Sequence, residues 1–248
     1  MARYDTIGRG YAFHRREDPD LKDRIRRALG DAKSVVNVGA GAGSYEPLNG
    51  TVIPVEPSAV MAAQRPSGRP AVRATADALP LHDRSVDAAM TVLSLHHWHP
   101  HQEAGIREMC RVASQSVVIV TIDAEVSARM WLMADYLHEV RDLDLEIFPP
   151  PEVIATWLDR PAEIDVVPLS RDTPDHMLCS YWAHPERVLN ASARAATSGF
   201  ARQSPEVVAR VVDAVAAHLE SGAWDARYGS LRAMKSYDAG LRLIRARC

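Results

Sequence analysis

Three glycines within five residues, Gly39-Ala-Gly-Ala-Gly43, follow directly on a short apolar run, Ser34-Val-Val-Asn-Val38. A β-branched run of that length reads as a buried strand, and glycines at its end let the backbone turn tightly and approach a ligand closely. The pairing points to folds in which a parallel strand delivers a ligand loop to the edge of a sheet. Glycine also serves tight turns that bind nothing, so the residues that follow decide. A second apolar run, Thr51 to Val55, ends in Glu56-Pro57-Ser58. A carboxylate at the end of a second strand can accept hydrogen bonds from the two vicinal hydroxyls of a ribose. An exposed turn acid is the plain alternative.

Strand and helix signals alternate beyond this point. A weak third run at Ala71 to Ala74 leads to Asp77, a fourth from Val86 to Leu93 leads into a histidine-rich stretch, and a fifth from Ser116 to Ile122 ends at Asp123. One amphipathic helix is predicted from Asp18 to Leu29, with Pro19 at its start, Leu21, Ile25, Ala28 and Leu29 on one face, and Gly30 closing it. Another runs from His101 to Val112, where Ala104, Met109 and Val112 alternate with charged residues. After Asp123 the pattern predicts helices at Ser127 to Val140 and Pro151 to Leu158, a strand near Ile164 to Leu169, helices through Pro185 to Glu220, and a last strand from Gly240 to Ala246. The alternation predicts an α/β fold with a parallel sheet, right-handed crossovers and helices on both faces. Helices inserted before the last strand would form a cap over the C-terminal edge of the sheet.

At 248 residues the chain can bury a full core as one domain, residues 1–248. Within it we distinguish an N-terminal helical segment, 1–33, a ligand-binding half, 34–123, and a second half, 124–248, with the helical insertion. Hydrophobic residues make up 47% and charged residues 25%, ordinary globular usage. The net charge of −3, with only Lys22, Lys33 and Lys235 as lysines, gives no basic field and argues against nucleic acid as a partner. Cys110, Cys179 and Cys248 are scattered, which fits a reducing compartment better than a disulfide framework. No apolar run approaches the roughly 20 residues that span a bilayer. A cytoplasmic protein without membrane contact is expected.

Taken together, four segments resemble the class I S-adenosylmethionine-dependent methyltransferases, in particular the small-molecule group similar to the ubiquinone/menaquinone biosynthesis methyltransferases (methyltransferase type 11). Val35 to Gly43 resembles the glycine-rich first motif, Val52 to Glu56 the ribose-binding strand end, and Ala76-Asp-Ala-Leu-Pro80 the adenine-binding turn. Ser85 to Trp98 resembles the fourth strand with its active-site loop, and Met109-Cys-Arg-Val112 the helix end before strand five. The resemblance covers Ser34 to Asp123 and implies a Rossmann-like, mostly parallel sheet of seven strands with S-adenosylmethionine as cofactor and a small-molecule methyl acceptor. It implies that Gly39, Ala40, Gly41 and Gly43 line the methionine and ribose portions of the cofactor, with Asn37, Pro57 and Ser94 beside them. Glu56 would hold the ribose hydroxyls, Asp77 would accept from the adenine amino group, and Ala78 and Leu79 would flank the ring. The family commonly has an acid where this chain has Asn37, which removes one attraction for the cofactor's positive charges.

A nicotinamide-binding Rossmann fold also uses a glycine turn and an acid at the end of strand two, but its third glycine would fall at Ser44. It gives no reason for Ala76 to Pro80 or for His97-Trp98. A non-catalytic binder of the same cofactor stays open, because fold and motif do not prove turnover. The strip His96-His-Trp-His-Pro-His101 invites a metal reading, yet no carboxylate or thiol stands at a diagnostic spacing, and no metal is expected. His99 and His101 read as solvated residues at a helix start. His96, just beyond strand four, is placed to face the acceptor, and His14 is the second candidate for a general base, histidine being the side chain that titrates near neutral pH. Among the rings past Asp123, Trp131, Tyr136 and Trp182 are candidates for an apolar acceptor pocket, with core packing as the plain alternative. The segment Tyr4 to Arg16 resembles the aromatic and basic stretch that covers the cofactor in related methyltransferases, which makes Tyr11 and Arg15 candidate cofactor contacts.

Overall fold

Val35, Val36 and Val38 are all buried, because the strand that carries them lies between two neighbours in a sheet covered on both faces. The computed structural model describes residues 16–66, 70–195 and 197–247. Its strands are β1 (Ser34–Val38), β2 (Thr51–Val55), β3 (Val86–Val92), β4 (Ala113–Ile122), β5 (Ala162–Val166), β6 (Leu169–Ser170), β7 (Ser236–Tyr237) and β8 (Leu241–Arg247). Six of them form one sheet in the order β2-β1-β3-β4-β8-β5, and β6 pairs with β7 separately. The first four are mutually parallel, whereas β8 enters antiparallel between β4 and β5.

The expected third strand is reduced to a single parallel bridge between Val55 and Val72. Val72 donates to Pro54 O and accepts from Glu56 N, after which the chain turns away. The run is short, follows Pro70 and carries Arg73, whose guanidinium bonds Pro57 O, so it has little apolar surface to hold it at the sheet edge. The sheet thus has six strands where seven were expected, and its mostly parallel character stands.

Alternate strand residues feed two cores. Val35, Ala88, Met90, Val118 and Val120 face α1 (Pro19–Leu29), which contributes Leu21, Ile25, Ala28 and Leu29. Val36, Ala89, Val117 and Ile119 face the opposite side, where α3 (Gln102–Val112), which follows the short α2 (Ala59–Ala62), contributes Ile106, Met109 and Val112. Asp18 caps α1 by accepting from Leu21 N at 3.0 Å, and Gly30 ends it in a left-handed conformation.

The helix expected over Ser127 to Val140 is broken into α4 (Ala124–Ser127), α5 (Trp131–Asp135) and α6 (His138–Ile147). Met130, Trp131, Leu132, Met133, Tyr136, Leu137 and Val140 are all buried. No single stripe of a straight helix can bury so many consecutive apolar residues, so the chain bends at Met130 and at Leu137, both non-helical, to bring each inward. After α7 (Pro151–Trp157) and β5, the insertion consists of short 3₁₀ turns, α8 (Ala191–Ala195), α9 (Ser198–Ala201), α10 (Pro205–Glu220) and α11 (Ala223–Tyr228).

This insertion joins the α1-side core through its rings. Trp131 donates from Nε1 to Trp182 O at 3.0 Å and meets Tyr136 and Trp224 edge-on, with centroids 5.6 and 5.5 Å away. Trp182 stacks on Tyr237. Trp131, Tyr136 and Trp182 therefore pack the core and line neither of the two cavities described below, which corrects their expected place in an acceptor pocket. Removing such a ring leaves a void that its neighbours cannot fill. Trp131→Ala is expected to cost about 3–5 kcal/mol in urea unfolding, and the fraction that stays folded should bind cofactor normally.

Candidate functional site

At the C-terminal ends of β1, β2 and β3 a cavity of about 530 Å³ opens, at the point where strand order reverses around β1. The glycine loop forms its floor, and the loop is held by backbone bonds from Gly39 N and Ala40 N to Val55 O at 2.9 and 3.0 Å. Gly39 has φ of +72°, and a Cβ there would lie 1.9 Å from Ser94 Oγ and 2.7 Å from Ser94 Cβ. Ser94 belongs to the turn after β3, which is thrown against the loop because Leu93 adopts φ of +51°. A left-handed conformation at a leucine costs about 1–2 kcal/mol, and Leu93 N offsets part of it by donating to Val120 O at 2.8 Å. Beyond Ser94 a 3₁₀ turn, Leu95–Trp98, brings His97 and Trp98 into the cavity wall. Trp98 lies against α3 at Gly105, where a Cβ would come 2.7 Å from the indole.

Glu56 faces the loop. One of its carboxylate oxygens accepts from Gly41 N at 2.8 Å and the other from Ser58 N at 2.7 Å. Burial raises its pKa above the usual glutamate value, and the two backbone donors with the Arg73 and Arg65 charges oppose that rise. Asp77 stands exposed in the far wall, its pKa lowered chiefly by a hydrogen bond from the Thr75 side chain. Beneath the loop lies a buried ion pair. Arg65 Nη2 contacts both oxygens of Glu46 at 2.8 Å, Asn37 Nδ2 donates to Glu46 Oε1 at 3.0 Å, and Arg65 Nη1 reaches the carbonyls of Ala40 and Gly41. Asn37 thus orients the loop through Glu46.

Asn37, Gly39, Ala40, Gly41, Glu56, Pro57, Asp77 and Ser94 all line this cavity. Three expected contacts do not. Gly43 faces the Arg65 guanidinium, 3.3 Å from where its Cβ would be. Leu79 points into the α3-side core, and Ala78 is exposed outside the wall, because Leu79 N is tied to Glu108 Oε2 and turns that stretch toward α3. Ala74, Thr75 and Ala76 form the wall there instead. His99 and His101 are exposed, as their sequence position suggested, yet they also stand at the cavity wall. Tyr11, His14 and Arg15 lie outside the described residues. The sequence reading missed Glu46 and Arg65, since nothing in a 19-residue separation pairs them. It also missed Tyr45, whose hydroxyl accepts from Asp18 N and donates to Asp175.

His96 faces the other way. It is buried, stacked on Phe148 with centroids 4.3 Å apart, and lines a second, inner cavity of about 90 Å³. Leu93 is part of both walls, so the two cavities meet at the strained turn after β3. The inner walls are mostly apolar, with Met130, Met133 and Met177 among them.

These contacts separate two kinds of glycine. Gly39→Ala should lose most cofactor affinity and stability, whereas Gly41→Ala, whose Cβ meets only Met61 Cε at 3.4 Å, should cost about 1 kcal/mol of left-handed strain; paired melting and binding curves check the order. Arg65→Ala strands the buried Glu46 charge and should destabilise by about 3–5 kcal/mol. The double change Glu46→Leu, Arg65→Met should restore most of that stability in urea unfolding but not the position of the loop, read as cofactor affinity.

Comparison with known proteins places this geometry. Residues 36–121 match the model of a methyltransferase domain family. No curated protein sequence matches the chain. A solved structure from Anabaena variabilis ATCC 29413, provisionally named a methyltransferase from an antibiotic biosynthesis pathway, is 28% identical. The match covers 94% of this chain and 98% of that one with a TM-score of 0.87. A protein of Thermotoga maritima, provisionally named a histamine N-methyltransferase, shares the fold at 16% identity and TM-score 0.57, covering 98% and 97%. The [4+2]-cyclase SpnF shares it at 19% and 0.51, covering 92% and 80%. The chain is an S-adenosylmethionine-dependent methyltransferase with the Rossmann-like class I fold, and the match to the methyltransferase domain family covers residues 36–121.

Proposed function

We propose that the protein transfers a methyl group to an oxygen, nitrogen or carbon atom of a small molecule, in a biosynthetic pathway of secondary metabolism. The observation that carries the reading is the pair of cavities meeting at Leu93, one sized for a nucleoside cofactor and one for a few apolar atoms. The likeness to the Anabaena protein supports the biosynthetic setting. A net charge of −3 speaks against nucleic acid as the acceptor. Among the described residues no helix is long and apolar enough to cross a membrane, and a cytoplasmic setting rests on the cysteine usage.

The residues present fit the cofactor. A carboxylate has about four lone-pair positions, and Glu56 uses one on each oxygen for backbone N–H groups, which leaves one on each for vicinal ribose hydroxyls. Asp77 offers an ionised acceptor to an adenine amino group at the far wall, and Asn37, Gly39, Ala40 and Gly41 offer a side-chain-poor floor. When bound, the cofactor supplies an electrophilic methyl on a sulfonium. The protein's task is to align the acceptor with that methyl and exclude water, which can supply most of the acceleration. In this division residues 34–123 hold the cofactor and residues 124–248 the acceptor, His96 joins the acceptor wall, Tyr11 and Arg15 are the proposed further cofactor contacts, and His14 is the second candidate base.

S-adenosylhomocysteine should raise the melting temperature while NAD and NADP should not, since a ligand stabilises only the state that binds it; the reverse result would overturn the assignment. Glu56→Ala should weaken S-adenosylhomocysteine binding by about 2–4 kcal/mol. Glu56→Gln, which keeps an acceptor oxygen, should lose less, as calorimetric titration will read. Because the same fold houses a cyclase, turnover is tested by the mass of a methylated product.

A further inference from the structure

The inner cavity holds a carboxylate that the cofactor does not need. On α6, Val140, Leu143, Asp144 and Ile147 fall at helical spacing along one stripe, and Asp144 is the only polar member. Val140, Leu143 and Asp144 line the cavity, opposite Met130, Met133 and Phe148. An acid on the inward stripe of an amphipathic helix forfeits solvation that an apolar residue there would not. The same cavity is lined by His96 from the turn after β3, Cys179 from the 3₁₀ turn Leu178–Ala183, and Arg202 just past α9, whose charge acts on Asp144. Neutral Ser127, Thr197, Ser198 and Gln203 complete the polar part of the wall. Arg202 also reaches His97 Nδ1 at 3.3 Å, so it runs from the inner cavity to the wall of the outer one. Burial pushes the Asp144 carboxyl up to about 7, against the pull of the Arg202 charge.

We propose that the inner cavity receives the reacting end of the methyl acceptor and that Asp144 takes the proton from its O–H or N–H nucleophile. This rests on the methyl-transfer reading and adds the acceptor's chemical class, an apolar body carrying a single hydrogen-bond donor. The lone pair of the acceptor oxygen or nitrogen forms the bond to the methyl carbon, and the carbon–sulfur bond breaks with its pair kept by sulfur. The proton ends on a carboxylate oxygen of Asp144. The Arg202 charge opposes the rise of the Asp144 pKa, so the carboxylate is ionised from about pH 7 upward, and the apolar walls hold the acceptor's body.

The test uses the full chain saturated with S-adenosylhomocysteine and three probes of similar shape, 4-methylphenol, 4-methylaniline and toluene. At pH 8 the first two should bind at least tenfold more tightly than toluene. In Asp144→Asn that preference should fall below twofold while S-adenosylhomocysteine affinity stays within twofold of the parent. A second readout is stability. Asp144 with its pKa raised by folding favours the native state at low pH, and that contribution is lost as pH rises through about 7. The parent should therefore lose a component of stability between pH 5 and pH 8 that Asp144→Asn lacks. If Asp144→Asn does not fold, Asp144→Ser serves for both readouts. An equal preference in parent and variant, no preference in the parent, or identical pH profiles of unfolding would overturn the assignment. Failure of the parent to bind S-adenosylhomocysteine would instead overturn the methyl-transfer reading on which it rests.

Discussion

The loop after β1 has to pass within contact distance of the turn after β3, and both cavities depend on that approach. Gly39 makes it possible by having no side chain where Ser94 lies, and Leu93 makes it happen by adopting a backbone conformation that side chains disfavour. Neither feature is stable in isolation. The surrounding bonds over-determine them: Gly39 N and Ala40 N to Val55 O, Leu93 N to Val120 O, and the Arg65 guanidinium drawn up against the Ala40 and Gly41 carbonyls by the buried Glu46. A fully enclosed ion pair is a poor source of net stability, so its role here is to fix the height of the loop.

Three carboxylates around this turn have three different environments and three different electrostatic states. Asp77 is exposed and held by a hydroxyl, which lowers its pKa. Glu56 is enclosed but accepts two backbone N–H groups, so burial raises its pKa only against strong opposition. Asp144 lies among thioethers and aliphatic walls with one cation near, and it is pushed furthest. One functional group thus stands in three electrostatic states at the rim, at the glycine loop and in an apolar wall, and its surroundings alone set the difference.

The insertion before β8 extends the α1-side core with rings. Trp131, Trp182 and Trp224 are almost fully enclosed; Trp131 meets Trp224 edge-on and Trp182 stacks on Tyr237, angles suited to their quadrupoles. Tyr45 links this layer to the glycine loop it follows, since its hydroxyl joins the N-terminus of α1 to Asp175 on the insertion side. The cap and the loop are therefore tied by buried hydrogen bonds.

Local pattern carried a large part of this. The apolar runs of β1, β2, β3 and β4, the caps of α1, and the place of Gly39, Gly41, Glu56 and Asp77 at one edge of the sheet follow from periodicity, glycine chemistry and the end of each strand, all of which are short-range. What lay beyond reach was set by contacts between distant residues. The weak third strand depended on edge packing that the chain did not supply, and the antiparallel entry of β8 depended on where the insertion returned the chain. The inward turn of Trp131, Tyr136 and Trp182 depended on how much apolar surface had to be buried at once. The pairing of Glu46 with Arg65 and the enclosure of Asp144 exist only after the fold has closed, because a charge acquires its partners and its dielectric from neighbours that sequence spacing does not specify.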